Sequence, residues 1–499
     1  MNNKEKRNVT LNIISSLFLQ IVIIFRGIVI PRLILQYFGS EINGLLSSIT
    51  QFLSFFAVME GGIAGVILAS LYQPIVEYDY EAISKIVRAS KEFLRKLAVG
   101  FFIYMIVFAG VYSFWEKQFG QKYIVGLVLI LGVTTFMEYY FTMLPQLIIR
   151  ASNKAFICNT ISVFFIFGSL IAMLICFRVY PQIHFVKFVS AAIYIFQPIL
   201  LNVYIKKHYV LDKKSGLDKK LLSERWDGFG INLANIITTN TDVMVLTFFS
   251  SLETVSIYSI YYSVIAALRG LAHTLNFGYQ AYIGQEYAKG NVEKLNRIFS
   301  QYELLMINIS GVLFTCCMEM IVPFINIYTQ GINDANYNQP VFSTILNLAM
   351  MVLCLREPYL QMAYSANLFK RTSKYAYTEA GINIVLSIIL VRRFGISGVA
   401  IGTLLSSVYR LIANVCFLQN NILFRDKCVA YRKILVYFIP IIISSVIFRD
   451  LIISTQIGII SWFFKAIIVF VVNVGLFIVI DFIFYRNELK EIINFYFLR

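Results

Sequence analysis

Charge is scarce in this 499-residue chain: 14% of residues are Asp, Glu, Lys or Arg, against 59% hydrophobic. A soluble fold cannot hide that much apolar surface in one core, so apolar runs of about 18 or more residues are read as membrane spans. Histidine is scarcer still. Three residues, with no HxxxH or HExxH spacing, exclude most metal-enzyme designs. The seven cysteines (Cys158, Cys176, Cys316, Cys317, Cys354, Cys416 and Cys428) show no CxxC or Cys/His ligand spacing and read as small buried residues. No GxxxxGK[ST] occurs, so no ATP site is expected. No catalytic residue, metal ligand or cofactor is expected, and the chain is not expected to be an enzyme.

What remains is apolar sequence in blocks. About fourteen spans are expected, near 10–38, 44–70, 97–115, 123–149, 155–177, 186–205, 226–250, 254–283, 300–328, 340–366, 374–391, 396–418, 434–449 and 458–484. The first follows "NNKEKRN", runs for about 25 residues and lacks a small-residue cleavage site, so it is expected to stay as a span. The net charge of +16 is assigned to membrane topology, not nucleic acid. With the N-terminus placed in the cytoplasm, about 30 of the 43 Lys and Arg fall on inside segments. About eight, Lys187 among them, fall outside. That bias puts both termini in the cytoplasm of a multi-pass protein.

The most polar connection, "KKHYVLDKKSGLDKKLLSER" at 206–225, reads as a linker between two halves. "EINGLLSS" at 41–48 aligns with "ETVSIYSI" at 253–260, and "EAISKIV" at 81–87 with "EKLNRIF" at 293–299, both at an offset of 212. Six spans separate the copies, which predicts a parallel repeat about an axis along the membrane normal. The expected domains are a six-helix lobe (1–205), the linker (206–225), a second six-helix lobe (226–425) and two further helices (426–499).

Polar residues inside the spans recur at helical spacing. Asn232, Asn235, Thr239 and Asp242 form one stripe, and Arg269, His273, Asn276 and Gln280 another. Glu379, Asn383 and Ser387 form a third; Thr135, Glu138 and Thr142 a fourth. In the first span Asn12, Ser15, Ser16 and Arg26 share a face, and the second carries Ser47, Gln51 and Ser54. Each stripe fits either interhelical hydrogen bonding or the wall of a water-filled central cavity. Glu60 precedes the Gly61–Gly62 pair, off the face of Gln51. The intramembrane cations Arg26, Arg32, Arg269, Arg356 and Arg410 call for anions. Internal carboxylates (Glu138, Asp242, Glu319, Glu357, Glu379) or a phosphate or diphosphate on a substrate would serve. Pro31 raises the question whether a kink turns Arg32 toward the cavity or leaves it an interfacial anchor.

The opening "LNIISSLFLQIVIIFRGIVIPRLILQYFGSEINGLLSS", with "MEGGIAG" and "LYQPIVEYD", resembles Wzx-type oligosaccharide flippases of the polysaccharide transporter family, in the MOP (MATE-like) superfamily. "TDVMVL", "VSIYSIYYS", "REPYLQMAYSANLFKRTSKYAYTEAGINIVLSIILV" and "FGISGVAIGTLLSS" carry the resemblance into the second half, and it spans roughly residues 8–425. "YIGQEYA" stands where that family suggests a Ser-Leu-Gly-Asn-like sequence. The resemblance implies an all-α MOP/MATE-like fold and a bacterial inner-membrane flippase for an undecaprenyl-diphosphate-linked oligosaccharide, serving capsule, exopolysaccharide or O-antigen assembly. Partners would be that lipid-linked substrate, membrane lipid, and a polymerase or other assembly proteins. Arg26, Arg32, Arg269 and Arg356 are the expected diphosphate ligands. Asn232, Asn235, His273, Asn276, Gln280 and Asn383 would line the sugar cavity, with Tyr258 and Tyr261 as flat surfaces. Glu60, Glu138, Asp242 and Glu379 are the candidates for coupling to an ion gradient or membrane potential. A lipid II flippase or a MATE-type drug/cation antiporter is the alternative, and a membrane-bound polymerase a more distant one.

Overall fold

The computed structural model describes residues 3–60, 63–209, 226–274, 283–366, 368–449 and 458–497. All regular structure among them is helical. Chain contacts divide it into two compact units, Met1–Ile236 and Ile237–Arg499. The first holds α1 (Asn3–Phe55), α2 (Ile63–Glu77), α3 (Tyr80–Trp115), α4 (Gln121–Met137), α5 (Met143–Ala151), α6 (Ala155–Val179), α7 (Ile183–Ile195) and α8 (Gln197–His208). The helix α9 (Trp226–Phe249) crosses the division. The second unit continues with α10 (Leu252–Thr274), α11 (Val292–Tyr328), α12 (Pro340–Leu355), α13 (Glu357–Ser365) and α14 (Phe369–Leu418). It ends with α15 (Lys427–Val436), α16 (Phe438–Ile447), α17 (Ile459–Phe484) and α18 (Arg486–Phe497). Most of the expected linker, residues 210–225, lies outside the described residues.

Among the described residues, eleven helical segments are long and apolar enough to cross a membrane. Two are too long for one crossing: Thr10–Glu60 has 51 residues and Arg371–Leu423 has 53. At 1.5 Å per residue each runs close to 80 Å, over twice a hydrocarbon core of about 30 Å. Each contains one glycine with non-helical dihedrals, Gly39 (φ 83°, ψ 179°) and Gly395 (φ 55°, ψ −134°). Each is therefore two crossings joined at a glycine, and the fourteen expected spans do not map one to one onto eleven segments. The polar α9 is not among the eleven. The non-helical dihedrals in α1 are at Gly39, and Pro31 lies within the continuous helix.

Beyond Gly395 the chain packs back on itself through two further glycines of the "FGISGVAIGT" segment. A Cβ on Gly398 would stand 2.2 Å from the Leu390 carbonyl oxygen, and one on Gly402 would stand 2.5 Å from Ser387 Oγ. Such close approach puts Thr403 beside Asn383 (3.0 Å). Gly398→Ala meets backbone that cannot swing aside, and overpacking of this kind costs about 1–3 kcal/mol. A fall in the thermal midpoint of the detergent-purified protein, larger than for Gly381→Ala, is the expected result. Gly381 has open space around its Cβ position.

The repeat offset of 212 recurs in the helix starts. Asp79 caps α3 by accepting from Ala82 N, and Asn291 caps α11 by accepting from Lys294 N, both at 2.9 Å. An Asx side chain accepting the N–H three residues on satisfies a donor the helix leaves open, so the two copies begin alike.

Just before α11, Glu286 is buried and accepts from Lys289 Nζ (2.7 Å) and Lys294 Nζ (3.0 Å). The hydrogen bonds from Lys289 and then Lys294 hold its carboxyl below the usual glutamate range. Its contribution to stability is complete above the ordinary glutamate value of about 4.3 and is lost as pH falls through the lower folded value. Hydrogen-exchange protection across 283–295, measured against the intrinsic rate at each pH, should fall on acidification below that range in the wild type. Glu286→Gln should show protection that does not change across that step.

At the same end of the second unit, Glu303 in α11 accepts from Arg425 (3.1 Å), Lys433 (3.4 Å) and Tyr359. Lys433 also bonds Glu488 of α18 at 2.6 Å. This balanced buried network ties α15 and α18 to α11.

Candidate functional site

In the first unit, a cavity of about 450 Å³ opens among α1, α4, α5, α6 and α7. Arg26 enters it from α1; Lys187, Ser190 and Tyr194 enter from α7, and Gln197 from the first residue of α8. Thr134, Thr135, Glu138, Thr142, Gln146 and Ser162 complete the polar wall. Lys187, Ser190, Tyr194 and Gln197 are spaced 3, 4 and 3, which places them on one helical face. That spacing is the signal that could have singled out Lys187, which charge counting placed on an external segment. Lys187 lies in the first half of α7, on the cavity wall.

Arg26 Nη1 donates to the Tyr194 hydroxyl at 2.7 Å, and its guanidinium sits 5.3 Å from the centre of that ring. The tyrosine fixes the cation without neutralising it. Among the described residues neither Arg26 nor Lys187 forms an ion pair, and the cavity's one carboxylate, Glu138, bonds to neither. The wall carries two cations against one acid. Like charges facing one small cavity in a low dielectric favour an anionic occupant.

Glu138 owes its position to a π-helical turn, Glu138–Thr142, between α4 and α5. The Met143 N–H reaches back five residues to the Glu138 carbonyl, and the Thr142 hydroxyl donates to the Met137 carbonyl at 3.2 Å. Such a turn rotates the following helix and so aims Glu138, Thr142 and Gln146 together. Glu60 ends a 3-10 turn, Phe56–Glu60, and the helix resumes at Ile63. Glu60 lies within electrostatic reach of Glu138. Asn12, Ser15 and Ser16, expected on the Arg26 face, serve α6. Asn12 Nδ2 donates to Asn153 Oδ1 (2.8 Å), and Asn159 donates to Ser15 (3.1 Å) and Ser16 (2.9 Å).

The second unit holds two polar clusters. In one, Glu379 of α14 accepts from Arg410 (2.5 Å) and from Arg356, which stands at the break between α12 and α13. All three are at most 4% exposed. Arg356, expected as a free diphosphate ligand, is thus engaged by Glu379. Glu379, expected as a coupling carboxylate, is neutralised by two arginines. Arg269, one helical turn before His273, forms no ion pair among the described residues. His273 Nε2 lies 3.9 Å from Glu357 Oε2.

In the other cluster, Asp242 accepts from Tyr258 (2.7 Å) and Thr403 (2.8 Å), and Asn383 donates to Thr403. Asp242 is therefore a buried carboxylate held by neutral donors. Tyr258 and Tyr261 are buried, the second donating to the Tyr337 carbonyl at 2.7 Å; their rings are packed, not presented as flat surfaces. The side chains of Asn232 and Asn235, and all of Asn276 and Gln280, lie outside the described residues.

No protein-family model and no curated protein matches the chain. Solved structures do. The lipid II flippase MurJ in an inward-closed conformation superposes with a TM-score of 0.68 at 14% identity, covering 96% of this chain and 100% of that one. The Vibrio cholerae MATE transporter VcmN gives 0.59 at 12%, covering 85% and 100%. A multidrug resistance MATE family transporter of the MOP superfamily, inward-facing, gives 0.54 at 11%, covering 83% and 95%. The chain is an all-α, multi-pass membrane protein with the MOP/MATE-like fold. Its structural neighbours of that fold are flippases and transporters, not enzymes.

Proposed function

We propose that the protein is a flippase that carries an undecaprenyl-diphosphate-linked oligosaccharide across the bacterial inner membrane by alternating access. The observation that carries this reading is the Arg26–Lys187 pair on one cavity wall, without an ion-pair partner among the described residues. A diphosphate offers about two negative charges and several acceptor oxygens, which a guanidinium grips by paired hydrogen bonds and an ammonium attracts as a point charge. The hydroxyls and amides of Ser162, Ser190, Thr134, Gln146 and Gln197 suit the neighbouring sugar hydroxyls. In the second unit, Arg269 forms no ion pair among the described residues and Arg356 is held by Glu379. Arg32, half-buried beyond Pro31, is proposed as a ligand or an anchor. A MATE-type exporter of cations would be served by an acidic cavity instead. The shared fold with a protein named as a lipid II flippase also supports a lipid-linked cargo.

No resident cofactor is proposed. An ion gradient or membrane potential would drive transport, with Glu138, Glu60 or Asp242 as the coupling carboxylate. Both termini would face the cytoplasm, and polysaccharide-assembly enzymes would be the partners. Depleting the protein tests the reading: undecaprenyl-diphosphate-linked oligosaccharide should accumulate on the inner leaflet. Accumulation of lipid II instead would assign it to peptidoglycan, and accumulation of neither would defeat the flippase reading.

A further inference from the structure

Three helices of the second unit meet at a buried polar cluster that the head-group reading does not use. Glu319 in α11, Ser444 in α16 and Asn473 in α17 are each 0% exposed. Asn473 Nδ2 donates to Glu319 Oε2 at 3.1 Å and to the Val469 carbonyl at 3.0 Å. The Ser444 hydroxyl adjoins the carboxylate. Among the described residues no Lys, Arg or His pairs with Glu319, unlike Glu303 and Glu379 in the same unit.

The cluster is incomplete in a specific way. Glu319 Oε1, Asn473 Oδ1, Ser444 Oγ and, one turn earlier on α11, Thr315 Oγ1 are buried and close no hydrogen bond of normal geometry, although Ser444 lies beside Glu319 and the Cys316 thiol beside Asn473. All four are oxygens. Leaving one such group unsatisfied costs about 1–3 kcal/mol, and an unpaired buried charge costs more. The Ser444 and Thr315 hydroxyls carry one donor each, but neither meets an acceptor in normal geometry, and Glu319 Oε1 and Asn473 Oδ1 carry none. A hard cation draws on several oxygen lone pairs at once. A divalent ion would leave a surplus positive charge beside one carboxylate, whereas a monovalent ion balances it.

We propose that Glu319, Asn473 and Ser444 form a binding site for a small monovalent cation of the Na+ type. The site lies where α16 and α17 join α11, so the bound ion fastens the last membrane helices to the lobe. Asp242 is a separate carboxylate, already satisfied by Tyr258 and Thr403.

The test is Na+ binding to the full-length protein in detergent, by radiolabelled Na+ stoichiometry and by thermal midpoint in NaCl against choline chloride. These readouts need no glycolipid, so they stand or fall apart from the flippase reading. Wild type should bind Na+ and gain thermal stability from it, and E319Q should bind about one ion fewer per chain. S444A should reach the wild-type stoichiometry only at higher Na+. Equal stoichiometry in wild type and E319Q overturns the site. So does a Na+-indifferent wild type whose infrared spectrum shows a protonated carboxyl band that E319Q removes. If E319Q does not fold, wild-type Na+ affinity in S444A overturns it instead.

Discussion

Arg26→Gln and Lys187→Gln should each cut translocation of the lipid-linked oligosaccharide by about ten- to a hundredfold. A hydrogen bond to a charged group contributes about 1.5–3 kcal/mol, and each 1.4 kcal/mol is a factor of ten. Both variants should insert and fold. Arg26 gives up a hydrogen bond to Tyr194 and no ion pair, and Lys187 gives up no ion pair. The double variant should lose little beyond the worse single one if both cations grip one diphosphate, because neighbouring groups in one network are not additive. Lys187→Arg should retain activity, since the charge stays on the cavity wall. The assay is complementation of a depleted strain, with membrane levels of each variant measured. Normal rates in Arg26→Gln and Lys187→Gln would remove the cation pair from the mechanism. Tyr194→Phe gives a finer reading: the ring stays under the guanidinium while the 2.7 Å hydrogen bond is lost, so a modest defect is expected.

Glu379→Gln should be among the most destabilising single changes in the second unit. Glu379 stands between Arg356 and Arg410, which are 4% and 2% exposed. Removing its charge leaves two guanidinium groups buried with no shared anion, and breaking a buried pair in this way costs about 3–5 kcal/mol. Arg410→Met should cost less, because Arg356 and Glu379 remain as a neutral pair and the methionine refills much of the volume. Thermal unfolding of the purified protein in detergent distinguishes the two. If Arg410→Met proves worse than Glu379→Gln, the carboxylate is not the centre of the cluster. The same geometry bears on function, since a diphosphate reaching Arg356 would have to compete with a carboxylate already in place.

The membrane character was legible because it rests on composition and long apolar runs, whereas the MOP/MATE-like fold was legible only through the resemblance of the quoted motifs to a known family. Arg26 was legible because an arginine amid lipid-facing residues needs a reason. The glycines of "FGISGVAIGT" carried the resemblance as letters; the structure supplies their cause, a chain doubling back at Gly395 with backbone contact at Gly398 and Gly402. Lys187 was missed as a cavity residue because it sits near the start of an apolar run, where charge counting cannot tell an interfacial lysine from one that turns into a cavity. The Glu319 cluster was named only as one of several internal acids. Its helix gives no stripe, and its partners come from α16 and α17, more than a hundred residues away.

By itself, then, the sequence determined what can be decided by local hydropathy and spacing: a many-span chain, its repeat, and the polar residues that must avoid lipid. Which charge meets which was decided only by tertiary structure. Arginines 26, 269, 356 and 410 are chemically alike in the sequence. Folding gives two of them Glu379 and leaves the other two without an ion pair among the described residues, because partners drawn from separate helices are chosen by packing in three dimensions. In a low dielectric that choice separates a structural ion cluster from a site that can hold an anion.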